Sequence, residues 1–217
     1  MINLSERTVE RLIKCRRELL KYQYLDKPHV FSSDLARILN IKPEQLRQDL
    51  MATGIVSGNN RKGYDVNKLI DAIEKTVNIE DFSKIAFFGD PALFEMFQGF
   101  IETNFLEFTV EVIFNFTQCK DIYGGIPCFS LDKMSEVMQE KNIEIAIVAV
   151  CPELIPDIVD SLVLNGIKGI VNLSSEIINP VKGLFVENYD LLSIVEKLNF
   201  NIKNDYRQIK NERRIRE

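Results

Sequence analysis

Two hydrophobic rhythms divide the chain. Through residue 80 the apolar residues recur at helical spacing. Ser5 to Gln23 reads as a helix capped by Ser5, with Val9, Leu12, Ile13, Leu19 and Leu20 as its apolar stripe. Arg7, Arg11, Lys14, Arg16, Arg17 and Lys21 fill the remainder and read as a solvated face. Leu35, Ile38 and Leu39 predict a short second helix capped by Ser32 or Ser33. After the turn Asn40-Ile41-Lys42, Pro43 opens a third helix that buries Leu46 and Leu50. Asn67 to Val77 forms a fourth, with Leu69, Ile70, Ile73 and Val77 inward. Beyond residue 83 the rhythm changes to short, nearly uninterrupted apolar runs: 84–89, 108–114, 143–150, 169–173 and 183–187. Helices over 92–103, 131–141 and 152–165 separate them, Gly166 ends the last of these, and 190–216 closes the chain as one long helix. Strands without alternation, spaced by helices, predict a parallel sheet covered on both faces.

The second and third helices carry the chemistry of the first half. Gln45, Arg47, Gln48 and Asp49 are expected to point outward from the third helix, and a row of long hydrogen-bonding side chains there suits the DNA major groove. Gly54, Gly58, Asn59, Asn60, Arg61, Lys62, Gly63 and Tyr64 follow as a flexible basic wing, expected as a hairpin. Ordinary helix packing beside a solvated loop tip fits the same residues, so the pattern alone leaves both readings open.

Charge favours the first of them. Residues 1–80 hold 14 Lys and Arg against 11 Asp and Glu, whereas the remainder holds 13 against 21. A basic front on an acidic body suits a protein whose N-terminal part meets phosphate. With 46% apolar and 27% charged residues, no membrane-spanning run and no signal-like N-terminus, the expectation is a cytoplasmic globular protein without membrane contact. Cys15, Cys119, Cys128 and Cys151 lack metal-ligand spacing, and His29 is the sole histidine, so no metal is expected. Buried reduced thiols are the simplest state; a switch between Cys119 and Cys128 is the alternative.

Particular segments go further. Ser5-Glu6-Arg7-Thr8, Ser32-Ser33-Asp34-Leu35-Ala36, Gln45-Leu46-Arg47-Gln48-Asp49-Leu50 and Gly63-Tyr64 occur in the first half. Tyr123-Gly124-Gly125-Ile126-Pro127, the run from Gly166 to Asn172 and the run from Val186 to Leu191 occur in the second. In that order, across nearly the whole chain, they resemble the Rex family of redox-sensing transcriptional repressors. The resemblance implies an α/β chain: a winged-helix DNA-binding domain over 1–80, a Rossmann-like doubly wound sensor domain over 81–190, and a C-terminal helix over 191–217 exchanged between the protomers of a homodimer. It also implies binding to a palindromic double-stranded operator, relieved by NADH. Ser33, Gln45, Arg47, Gln48, Arg61, Lys62 and Tyr64 are the DNA-contact candidates. Gly89, Asp90, Ala92, Leu93, Asn115, Cys151, Pro152, Asn172 and Asp190 are the cofactor-site candidates.

The departures from the family pattern are local. Its GxGxxG run corresponds to Gly89-Asp90-Pro91-Ala92-Leu93-Phe94, with only the first glycine kept. Pro91 removes an amide donor, Phe94 places a ring where no side chain is expected, and Asp90 adds negative charge beside the phosphates. Asn115 replaces the ribose-binding acid, Phe100 a tyrosine near the nicotinamide, and Cys151 a proline. In the DNA half, Gln48 replaces a basic residue and Lys42 a hydroxyl cap. These changes oppose NAD(H) in the usual pose, and four readings stay open: NAD(H) in that pose, a repositioned or replacement effector, a thiol-based signal, or a structural second domain. In the last, Phe87, Phe88, Phe94, Phe97 and Phe100 fill the cofactor's space. Catalysis is not expected, since no general-acid arrangement is legible.

Overall fold

The structure, a computed structural model, describes residues 4–55, 61–78, 84–102, 109–116 and 121–216. The chain forms two compact units, Met1–Phe82 and Ser83–Glu217.

The first unit runs α1 (Glu6–Tyr24), β1 (His29–Val30), α2 (Ser32–Ile38), α3 (Pro43–Ala52), β2 (Tyr64–Asp65) and α4 (Val66–Val77). Its core is the shared interior of the four helices: Leu12, Cys15 and Leu19 of α1, Leu35 and Ala36 of α2, Leu46 and Leu50 of α3, and Leu69, Ile70 and Ile73 of α4. Ser5 caps α1 by accepting the Thr8 amide, and Asp65 caps α4 by accepting the Lys68 amide at 3.0 Å. The expected serine cap on α2 is absent. Phe31 holds the cap position, and both serines lie within the first turn. Ile38, expected inward, is 45% exposed, because α2 ends at that residue and Ala36 takes the buried place beside Leu35.

Only part of the expected wing lies among the described residues. β2 pairs antiparallel with β1, Val30 opposite Tyr64, so the strand after α3 returns to the strand before α2. Gly63 makes that return possible: its φ is +81°, and an added Cβ would run into the Val30 carbonyl. Gly58, Asn59 and Asn60 lie outside the described residues.

The second unit contains β3 (Lys84–Gly89), α5 (Pro91–Glu102), β4 (Val110–Asn115), β5 (Ile122–Tyr123), β6 (Ile126–Ser130), α6 (Met134–Lys141), β7 (Ile143–Ala149), α7 (Ile155–Leu164), β8 (Gly169–Asn172), β9 (Phe185–Asn188) and α8 (Leu191–Arg216). Its sheet has the order β5-β6-β4-β3-β7-β8-β9, parallel throughout except for β5. Without that edge strand this is the doubly wound order, with β3 central and the chain switching sides between β6 and β7. Pleating sends Ala86 and Phe88 of β3 to one face, under α6 and α7, and Ile85 and Phe87 to the other, beside Phe94 of α5.

Two strands of this sheet, β5 and β6, were not legible in the sequence. Ile126–Ser130 reads as a turn because of Gly124, Gly125 and Pro127, yet it is a parallel partner of β4. The glycines have φ of +54° and +81°, which closes a two-residue primed turn from β5 into β6. After α7 the chain stops cleanly: Gly166, φ +79°, lets the Ile167 amide reach the Leu162 carbonyl at 3.1 Å. Among the described residues no helix is long and apolar enough to cross a membrane.

Candidate nucleic-acid interface and nucleotide crevice

Periodicity in α3 separates its two faces. Leu46 and Leu50 are fully buried, Arg47 and Gln48 are exposed, and Gln45 is half-buried. Asp49 corrects the sequence reading: it points inward and is only 3% exposed. Arg11 of α1 makes this tolerable. Its Nε donates to Asp49 Oδ2 at 2.6 Å and its Nη2 to Oδ1 at 2.9 Å, a bidentate pair that supplies the hydrogen bonds a desolvated carboxylate needs. The same bond holds the Arg11 guanidinium's proton more tightly than usual. Gln45 Nε2 adds a third donor to Asp49 Oδ1 at 3.1 Å. The signal was present in the sequence: Leu46, Asp49 and Leu50 stand at i, i+3 and i+4, the spacing of one helix face.

Arg16 is a second correction to the supposed solvated face. It is 8% exposed and pairs with Glu74 of α4 at 2.6 Å, tying the first helix to the last of this unit. Arg47 extends from the exposed face of α3, where its Nη2 donates to Glu44 at 2.8 Å. Ser33, Arg61 and Lys62 are exposed, while Tyr64 is half-buried against the helical core.

In the second unit the crevice lies at the carboxyl ends of β3 and β7, where a doubly wound sheet takes its ligands. Gly89 stands opposite Ala149, and an added Cβ would come within 2.6 Å of the Ala149 carbonyl oxygen. Beyond it, Asp90 caps α5: its Oδ1 accepts the Ala92 amide at 2.8 Å, and its carbonyl accepts the Phe94 amide at 3.2 Å. Ala92 and Leu93 are exposed. Phe94 is 1% exposed and packs on Phe87, ring centroids 5.4 Å apart, within the core that includes Ile113 and Ile147. Phe97 and Phe100 have side chains outside the described residues.

A dinucleotide in the usual pose rests its pyrophosphate on free amides at this helix start. Here Pro91 has none, the Ala92 amide is engaged, and the engaging group is itself an anion. Asn115, at the end of β4, is neutral and 8% exposed, and its Oδ1 accepts the Phe116 amide at 2.8 Å, so this residue brings no carboxylate to a ribose.

The side chain of Asn172 is fully engaged within the protein. It is fully buried; its Nδ2 donates to the Glu176 carbonyl at 2.6 Å and to Asn188 Oδ1 at 2.8 Å. Its Oδ1 accepts from the Ser174 amide at 3.0 Å and the Ser174 hydroxyl at 2.8 Å, which uses both donors and both lone pairs. Asn188 in turn bonds both the amide and carbonyl of Ile178, so the pair shapes the loop between β8 and β9. Nothing in the sequence alone distinguishes this role from ligand contact. Asp190 caps α8, accepting the Leu192 amide at 2.9 Å and the Ser193 amide and hydroxyl, which lower its pKa.

The thiols differ in environment. Cys15 is fully buried, and desolvation pushes it up to about 12. Cys128 is buried in the sheet, and Cys151 is exposed at the turn Pro152–Leu154 that precedes α7. Cys119 lies outside the described residues.

Comparison with known proteins accounts for both units. The family model "Putative DNA-binding protein N-terminus" matches residues 3–50, and the "CoA binding domain" model matches residues 53–176. The redox-sensing transcriptional repressor Rex of Carboxydothermus hydrogenoformans is 30% identical over 206 residues, 93% of this chain and 98% of the relative. The repressor of the same name from Geobacillus kaustophilus is 27% identical over 93% of this chain and 94% of its own length. Among solved structures, a repressor called RSP in complex with beta-NAD+ and operator DNA superposes with a TM-score of 0.82 at 19% identity, covering 98% of this chain and 99% of that one. RSP solved with beta-NADH gives 0.76 over 95% of this chain and 98% of that one, at 19% identity. The 30% identity with the Carboxydothermus hydrogenoformans repressor, over 93% of this chain and 98% of that relative, makes the chain a member of the Rex family of redox-sensing transcriptional repressors.

Proposed function

We propose that this protein is a DNA-binding transcriptional repressor that acts as a homodimer on a palindromic operator. The observation that carries the reading is the exposed face of α3, where Arg47 and Gln48 stand clear of a core that fixes the helix through Leu46, Leu50 and the Arg11–Asp49 pair. Arg47, Gln45 and Gln48 read bases, and Ser33, Arg61, Lys62 and Tyr64 hold the backbone. Dimerisation is supported by α8, whose Leu191, Leu192, Val195 and Phe200 are each more than 60% exposed in the single chain. The protein regulates and does not catalyse.

The named activities of its relatives make NAD(H) the first effector to test, and redox state the signal it would report. The capped start of α5 means that a dinucleotide bound here does so without the usual pyrophosphate cradle. A second reading, a ligand-independent repressor whose second unit is structural, is favoured by the burial of Phe94 in the core.

The test is fluorescence anisotropy of the full chain on duplexes selected from random DNA, at fixed salt, with NADH, NAD, NADPH and NADP titrated separately. Arg47→Ala is expected to weaken the selected site by about 1–3 kcal/mol, the value of one bidentate base contact. Unchanged affinity would remove Arg47 from the interface. Release by NADH alone supports the redox reading, and indifference to all four supports the second.

A further inference from the structure

Asp49 does more in α3 than anchor Arg11, because it also decides which way one base-reading side chain faces. A glutamine amide presents a donor at one end and an acceptor at the other, and a free amide can turn over to suit either partner. Gln45 is not free. Its Nε2 donates to Asp49 Oδ1 at 3.1 Å, and Asp49 is held by both Arg11 bonds, at 2.6 and 2.9 Å. Turning the amide over would set its carbonyl oxygen against a carboxylate that has only acceptors to offer. Asp49 is 3% exposed, so water does not relieve that repulsion.

On the reading that α3 enters the major groove, we propose that Asp49 is a positioning residue that fixes Gln45 as a reader of adenine. With one Nε2 hydrogen committed to Asp49, Gln45 retains one hydrogen and Oε1. That donor and acceptor complement adenine, whose major-groove edge offers the N7 acceptor and the N6 amino donor. Guanine shows two acceptors, thymine an acceptor and a methyl group, and cytosine one donor, so none of them matches both. The chain Arg11–Asp49–Gln45 thus begins in α1 and carries a specificity decision to the exposed side of α3. Arg47, whose charge-bearing fork is paired only with Glu44 on its own helix among the bonds described, is not part of it.

The test is binding-site selection from random duplexes with the full chain, comparing the wild type with Gln45→Met and Asp49→Asn. Gln45→Met is expected to erase the preference at one base pair per half-site, and the base lost there is expected to be adenine. Asp49→Asn, which lets the amide face either way, is expected to reduce adenine preference at that same pair by about tenfold and to leave the other positions as they were. A merely structural role for Asp49 would weaken every position alike. Loss of a guanine, cytosine or thymine preference, no lost position, or an Asp49→Asn profile identical to the wild type would overturn the proposal. Should Asp49→Asn fail to fold, the side-chain amide of Gln45 in the wild type decides the point by NMR. Assigned by its absence in Gln45→Met, it is expected to show one proton exchanging slower than those of other glutamines; a pair that exchanges as freely as the rest overturns the clamp. Failure of the wild type to enrich any site would instead reject the DNA-binding reading on which this rests.

Discussion

Phe94 stands where the family pattern has the third glycine of its phosphate loop, and the structure assigns its ring to the core. Replacing it with alanine is therefore a stability experiment before it is a ligand experiment. The side chain is 1% exposed, meets the Phe87 ring at 5.4 Å and shares its cluster with Ile85, Val110, Ile113 and Ile147. Truncating a phenylalanine in such a place removes its transfer free energy and leaves a cavity, together about 3–5 kcal/mol. The aromatic pair accounts for roughly 1 kcal/mol of that. For a chain of this size each kcal/mol moves the melting temperature by about 2–4 °C, so a drop of roughly 6–20 °C is expected. Differential scanning calorimetry of Phe94→Ala measures it, with Leu93→Ala as the companion, since Leu93 is 38% exposed on the same turn and should move the transition far less. A shift for Phe94→Ala no larger than that for Leu93→Ala would refute the argument. The ring would then line an open site instead of filling the core.

Other consequences are equally concrete. Asp90→Ser keeps a capping oxygen for the Ala92 amide but removes the charge, so NADH measured by titration calorimetry should bind more tightly than to the wild type, by about 1 kcal/mol. Equal affinity would mean that the carboxylate does not face the phosphates. Asn172→Ala strips four hydrogen bonds from the loop between β8 and β9 and should lower unfolding free energy in urea by about 3 kcal/mol, and a loss below about 1 kcal/mol would show that water replaces them. Cys15 is protonated in the folded protein up to about 12 and loses its proton near 9 when unfolded. Between those values the unfolded state holds fewer protons, so stability present below pH 9 should fall with rising pH by about 1.4 kcal/mol per unit. Cys15→Ala, compared across pH 8 to 10.5, should lack that component of the slope, and identical slopes would place the thiol in contact with water.

The sequence alone determined a good deal. The change from helical spacing to unbroken apolar runs separated the two units, because a helix buries one stripe whereas a strand in a covered parallel sheet buries both faces. Ser5, Pro43 and Gly166 were readable for the same reason: capping and helix-terminating chemistry is local, and the residues that satisfy it lie within a few positions. The missing amide at the start of α5 was legible too, since Pro91 lacks one wherever it is placed.

Tertiary structure decided what depends on partners distant in sequence. Asp49 turns inward because Arg11 lies 38 positions away on another helix and meets both of its oxygens. Among the described residues, Tyr64–Asp65 pairs with β1, and Ile126–Ser130 becomes a strand because β4 offers it an open edge. The Asn172 side chain is engaged by Asn188, 16 residues on, and the Phe94 ring is placed in the core because Phe87 lies beneath it. In each case the side chain's own chemistry allowed two roles, and burial beside one particular neighbour selected between them, since a desolvated polar group must be paired and a buried ring must be packed.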